Sequence, residues 1–178
     1  MTATHHKAMV NGQTLHYVRD GAGPPVLLLH GWPATWTHWR KLMPLLAAKY
    51  TVIAPDLRGF GDSSKPATGY DTRSITADVR ALMQQLGLGK ETFVVGHDMG
   101  AVHAYTYAAE YPDEVRALAY LDEPLPGLSY ESFAALKPEP MWQGGFWFAH
   151  FHLVPQLPEA LTAGRERMYL RHIITRMA

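Results

Sequence analysis

The sequence contains no cysteine, which removes disulfides, thiolate metal sites and a thiol nucleophile from consideration. Neither sign of charge is in excess: 16 Lys and Arg balance 16 Asp and Glu. A chain without a net field carries no electrostatic footprint for nucleic acid or for an anionic membrane surface, so neither partner is expected. Long apolar runs are also missing. "VLLL" is far too short to cross a bilayer, and the opening "MTATHHKAMV" has no apolar stretch of the kind a secretory leader needs. A cytoplasmic protein is the expectation. Ten histidines are present, yet none forms a His-Glu-x-x-His pair, and "HFH" at 150–152 has no carboxylate close by, so no metal site is expected.

What remains is an ordinary globular composition, 47% hydrophobic over 178 residues, long enough to bury one sizeable core. "TLHYVRDG" (14–21) alternates with period two and reads as a half-buried strand. "PVLLLHG", "YTVIAPD", "ETFVVGHD" and "VRALAYLDEP" are short, continuous, branched runs, the pattern of strands covered on both faces. Between them, 36–49 and 75–86 carry apolar residues on one helical face, and "MGAVHAYTYAAEYP" gives a third helix stopped at Pro112. Strands alternating with helices predict an α/β fold with a wound, mostly parallel sheet. From Pro124 the composition changes to prolines and aromatics, including Trp147, Phe148 and Phe151, followed by a helical tail. The expected division is therefore a core at 1–123 and the beginning of a helical lid, or cap, at 124–178.

Ligands of open α/β sheets bind beyond the carboxyl ends of the strands. Four such ends carry polar groups: His30-Gly31-Trp32-Pro33, Asp56, Asp98 and the pair Asp122-Glu123. Asp98 is the most informative. It sits where a strand run becomes a helix, with Gly96 and Gly100 two residues to either side, so strand and helix approach closely and the side chain is thrust into the cleft. The helix start also supplies N–H groups that favour an anion. Asp56 and Arg58 of "DLRGFGDSSKP" are expected to fix their own turn by hydrogen bonds.

"HGWP", "DLRGFGDSSKP" and "GHDMG", in this order and on these elements, resemble the α/β-hydrolase fold, in its aspartate-nucleophile branch of epoxide hydrolases and haloalkane or haloacetate dehalogenases. The resemblance runs from Thr14 onward, and the tail "WFAHFHLVPQLPEALTAGRERMYL" is similar to the first cap helices of bacterial epoxide hydrolases. It implies Asp98 as a nucleophile that forms a covalent ester with an electrophilic carbon, and an oxyanion hole from the backbone N–H groups of Trp32 and Met99. His30 and Pro33 would shape the adjoining loop or meet substrate. Asp122, with Glu123 as the alternative, would be the acid that orients a catalytic histidine. Ring opening would need a donor near Trp147 or Phe148, or else His150. Dehalogenases of this type present tryptophan or arginine directly after the nucleophile; Met99 carries neither signature and favours epoxides. The substrate implied is a small apolar epoxide, or a halogenated compound, and no cofactor is needed because hydrolysis of the ester takes only water.

Relatives continue through the rest of the cap, further strands and a histidine that activates water, whereas this sequence ends at Ala178 without the C-terminal strands. Three expectations stand side by side: a piece of a larger hydrolase, a homo-oligomer or complementing chain that covers the exposed sixth strand, or a non-catalytic binding relative.

Overall fold

The computed structural model describes residues 3–124 and 151–177. The chain divides into two compact units, Met1–Glu123 and Pro124–Ala178. In the first, six strands form one sheet: β1 (Thr4–Val10), β2 (Gln13–Asp20), β3 (Pro25–Leu29), β4 (Thr51–Pro55), β5 (Thr92–His97) and β6 (Val115–Leu121), in the order β1-β2-β4-β3-β5-β6. The pairs β4–β3, β3–β5 and β5–β6 are parallel, while β1–β2 and β2–β4 are antiparallel.

Alternation along β3 sorts its side chains between two cores. Leu27 and Leu29 join Leu15, Ile53, Val94, Leu82 and Met83 on one face. Val26 and Leu28 join Val18, Val52, Trp39 and Met43 on the other. The first core is roofed by α2 (Thr72–Gln85), which buries Ile75, Val79, Leu82 and Met83, together with α3 (Met99–Glu110), which buries Ala104 and Tyr107. Each fully buried leucine of this kind stabilises the fold by about 2 kcal/mol.

Three details depart from the sequence expectation. β1 is an additional strand: only Ala8 and Val10 are buried along it, so its period-two signal is confined to its last three residues. The expected helix at 36–49 is broken into a 3₁₀ turn, Trp36–Trp39, and a short α1, Met43–Ala47, with Pro44 in its first turn. Proline fits a helix start but cannot lie in its interior, which sets the break. Finally, α2 begins three residues before Ile75, because Asp71 caps it by accepting the Ser74 N–H (3.0 Å) and the Ser74 hydroxyl (2.7 Å).

In the second unit α4 (Leu157–Thr162) and α5 (Glu166–Met177) are joined at Gly164, whose N–H donates to Glu166 Oε1 at 2.9 Å. The Tyr169 hydroxyl and His152 Nε2 lie 2.9 Å apart within it. Among the described residues no helix is long and apolar enough to cross a membrane.

Candidate active site

β3 and β5 are parallel neighbours, with Leu29 opposite Gly96. Their carboxyl ends therefore open side by side, and Asp98 follows immediately. Its backbone adopts φ +56°, ψ −133°, a conformation that side-chain-bearing residues rarely occupy and that persists only where the surroundings enforce it. The enforcement is visible. Asp98 N–H donates to the Leu121 carbonyl at the end of β6 (3.0 Å), and Ala101 N–H returns to the Asp98 carbonyl (2.7 Å). Gly96 and Gly100 touch so closely that a Cβ on Gly96 would collide with the Gly100 carbonyl, and one on Gly100 with the carbonyls of Leu29 and His30. Close packing at this turn, more than freedom of rotation, is what these two glycines supply.

Two backbone donors converge on one carboxylate oxygen. Trp32 N–H lies 2.8 Å and Met99 N–H 2.7 Å from Asp98 Oδ1. Met99 is 42% exposed, and its hydrogen bond to Asp98 comes from the backbone N–H. Gly31 is pressed against the Asp98 side chain with no room for a Cβ. Among the described residues Oδ2 has no hydrogen-bond donor. Trp32 and Pro33 are half-buried, and the bond between them is cis.

His30 shapes the loop and offers nothing to a ligand. It is fully buried; Nδ1 contacts the Gly31 carbonyl at 2.9 Å and Nε2 accepts the Leu57 N–H at 3.0 Å. Both nitrogens are thus used, which fixes a neutral tautomer, and burial holds its pKa below the ordinary histidine value against the opposing Gly31 bond.

Asp56 anchors more than its own turn. Oδ2 accepts from Asp62 N–H (3.0 Å) and lies 2.8 Å from His16 Nδ1, while Oδ1 accepts the Trp36 N–H (2.8 Å). Arg58 reaches away from the turn to α2, where Asp78 Oδ2 receives its Nε (2.8 Å) and its terminal nitrogen (2.7 Å).

At the end of β6 the two acids differ. The Asp122 side chain is 90% exposed and stands 3.8 Å from His97 Nε2. Glu123 is half-buried, and burial first, then the negative charges of Asp98 and Asp122, push its pKa up to about 7. The sequence also gave no hint of a partner for His97. Its ring stacks on His38, centroids 4.6 Å apart, a meeting of residues far apart in the chain that neither periodicity nor motif announces. Beneath the site, His103 on α3 is 3% exposed with Nδ1 unpaired; burial, then the neighbouring His30, bring its pKa down to about 4. Trp147, Phe148 and His150 lie outside the described residues. Among the described residues no group of three His, Asp or Glu side chains is placed to hold a metal ion.

Known proteins share this fold. A family model described as the alpha/beta hydrolase fold matches residues 24–152. The soluble epoxide hydrolase of Corynebacterium sp. (strain C12) is 43% identical over 172 residues, covering 97% of this chain and 59% of that enzyme. A fluoroacetate dehalogenase of Burkholderia sp. is 42% identical over 118 residues, 64% of this chain and 38% of that protein. The crystal structure of wild-type Cfl2 from Burkholderia cenocepacia superimposes with a TM-score of 0.86 at 40% identity, over 94% of this chain and 57% of that one. The chain thus spans less than two thirds of the length of these relatives. With sheet order and family model in agreement, this chain belongs to the α/β-hydrolase family.

Proposed function

We propose that Asp98 is the nucleophile of an epoxide hydrolase-type reaction, and the observation that carries this reading is the convergence of Trp32 and Met99 N–H groups on Asp98 Oδ1. With Oδ1 held by two donors, Oδ2 attacks an epoxide carbon. The carbon–oxygen bond of the ring breaks, the ring oxygen leaves as an alkoxide that takes a proton, and an alkyl ester of Asp98 remains. Oδ1 is then the ester carbonyl oxygen, already seated against the two donors. When water adds to that carbonyl, the negative charge develops on Oδ1, where the same two N–H groups stabilise it. A carboxylate suits this role because it is ionised at neutral pH and needs no base to activate it.

Either Asp122 or Glu123 supplies the acid at the β6 end; Glu123 is half-buried and feels the charge of Asp98. The proton donor for ring opening is assigned to the region of Trp147, Phe148 and His150 at 124–178, and the full cycle also needs a histidine that activates water. The substrate is a small apolar epoxide. A dehalogenase is the second reading, supported by the fluoroacetate dehalogenase among the relatives and weakened by Met99.

The test is incubation with styrene oxide followed by intact mass measurement. A single adduct that disappears in Asp98→Ala supports the nucleophile; no adduct with either epoxides or haloalkanes overturns both enzymatic readings and leaves a binding relative. Native size measurement separates a lone chain from a homo-oligomer or complemented assembly, since β6 stands at the sheet edge with Leu118 and Leu121 exposed.

A further inference from the structure

The arginines of the two units are in different circumstances. In the first unit Arg58, Arg73, Arg80 and Arg116 each meet a carboxylate, on Asp78, Glu110, Glu114 and Glu91. In the second, Arg165, Arg167 and Arg171 are exposed and form no ion pair among the described residues. The charge is local: positions 163–178 hold four arginines against one glutamate, in a chain that is neutral as a whole. That glutamate, Glu166, turns Oε1 to the Gly164 N–H at 2.9 Å.

Two clefts open along α5 and share a border. One, of about 400 Å³, is lined by Gly164, Arg165, Arg167, Met168 and Arg171. The other, of about 620 Å³, is lined by Arg167, Leu170, Arg171, Ile174 and Thr175. Arg167 and Arg171 belong to both and stand one helical turn apart, where two like charges destabilise the helix unless an anion lies between them. Next to them Met168 is 66% exposed and Ile174 54%. A cation pair thus heads an apolar run toward the end of the helix.

We propose that the Arg167–Arg171 side of α5 is a binding site for a carboxylate carrying a single apolar chain, with the head between the guanidinium groups and the chain along Leu170 and Ile174. The inference lies within the second unit and stands apart from the reading of Asp98. A guanidinium presents a planar fork of donors that matches the two oxygens of a carboxylate, and the hydrocarbon stems of the arginines cover apolar surface below their charged ends. The cleft volumes are those of small-molecule sites. A membrane surface is disfavoured, because Ile173 is 2% exposed and Tyr169 and Leu170 are half-buried. The broad apolar face of α5 is therefore turned inward, and Met168 and Ile174 alone are too narrow a stripe to seat a helix in a bilayer.

The experiment adds decanoate, below its micelle concentration, to the whole chain and follows binding by calorimetry and by NMR of the arginine Nε–H groups and the Met168 and Ile174 methyl groups. Saturable binding at one site that moves the Arg167, Arg171 and Ile174 signals is expected. Arg167→Gln combined with Arg171→Gln removes both forks from exposed positions and weakens decanoate by about tenfold or more. Decanol, which has no charge, and acetate, which has no chain, each bind at least about tenfold more weakly than decanoate. Should the double variant fail to fold, Ile174→Ser takes its place, with an expected weakening of about threefold or more. No saturable decanoate binding, binding unchanged in these variants, or decanol or acetate matching decanoate overturns the proposal. Attachment to vesicles of anionic phospholipid without binding of free decanoate overturns it too, and assigns the patch to a membrane surface. Labelling of Asp98 by styrene oxide is a separate measurement, so either reading can fail alone.

Discussion

Asp56 and Asp98 hold matching addresses, each just beyond the carboxyl end of a parallel strand, and their surroundings give them opposite natures. Asp56 is 1% exposed and both of its oxygens are occupied, by His16, Asp62 and Trp36. Asp98 is half-buried, bent to φ +56°, and held through Oδ1 alone. A carboxylate satisfied on both oxygens joins segments together; one fixed by a single oxygen leaves the other open to a ligand. Position at a strand end is common to both and decides neither.

The largest contrast comes from removing each acid. Asp56→Ala leaves His16, the Asp62 N–H and the Trp36 N–H without their acceptor, and is expected to cost about 3 to 5 kcal/mol in urea unfolding, the range for breaking a buried pair. Asp98→Ala is expected to stay within about 1 kcal/mol of wild type, because it removes an acceptor at the partly open end of a helix and not a buried pair. Equal losses from the two variants would erase the distinction between anchor and reagent.

A middle-sized effect tests whether burial behaves on α3 as it does around Asp56. His103 has a folded-state pKa of about 4 against an ordinary 6.5, so the unfolded chain binds its proton first as pH falls. Stability is accordingly unaffected by His103 above about pH 6.5, declines between there and pH 4, and is lower by about 3 kcal/mol below that. Urea titrations of wild type and His103→Leu across this window check the sign: the variant's stability falls less steeply with acid.

The smallest effect is expected at Met99. Its hydrogen bond to Asp98 comes from the backbone N–H, so Met99→Leu is expected to change stability by less than about 0.5 kcal/mol and to leave Asp98 labelling by styrene oxide intact. A large loss of labelling would assign the thioether side chain a part in the site.

Much of this was readable beforehand, and the reasons are local. β3, β4 and β5 are continuous apolar runs because both of their faces are covered, and Asp98 was legible because two glycines must flank a turn this tight. β1 was not, since four exposed residues open it and its partner strand, more than its own composition, makes it a strand. The break after Trp39 could have been inferred from Pro44. The His38–His97–Asp122 grouping had no sequence signal at all, because three separate segments contribute one side chain each. Asp78, which receives Arg58 and the Asn11 amide, was hidden in the same way: a buried aspartate in the middle of a helix is explained by donors arriving from other elements.

The sheet order has a consequence for how the molecule assembles. β1 and β2 are joined by the two-residue turn Asn11-Gly12 and can pair early, whereas β3 must find β5 across the intervening β4 and α2, as Val26 meets Phe93. Closing such a loop precedes any reward from the contacts it makes, which slows folding. The left-handed bend at Asp98 has no support until that pairing and the β6 contact through Leu121 are in place. The Asp98 turn is thus expected to be among the last parts of the core to form, after the sheet around it is whole.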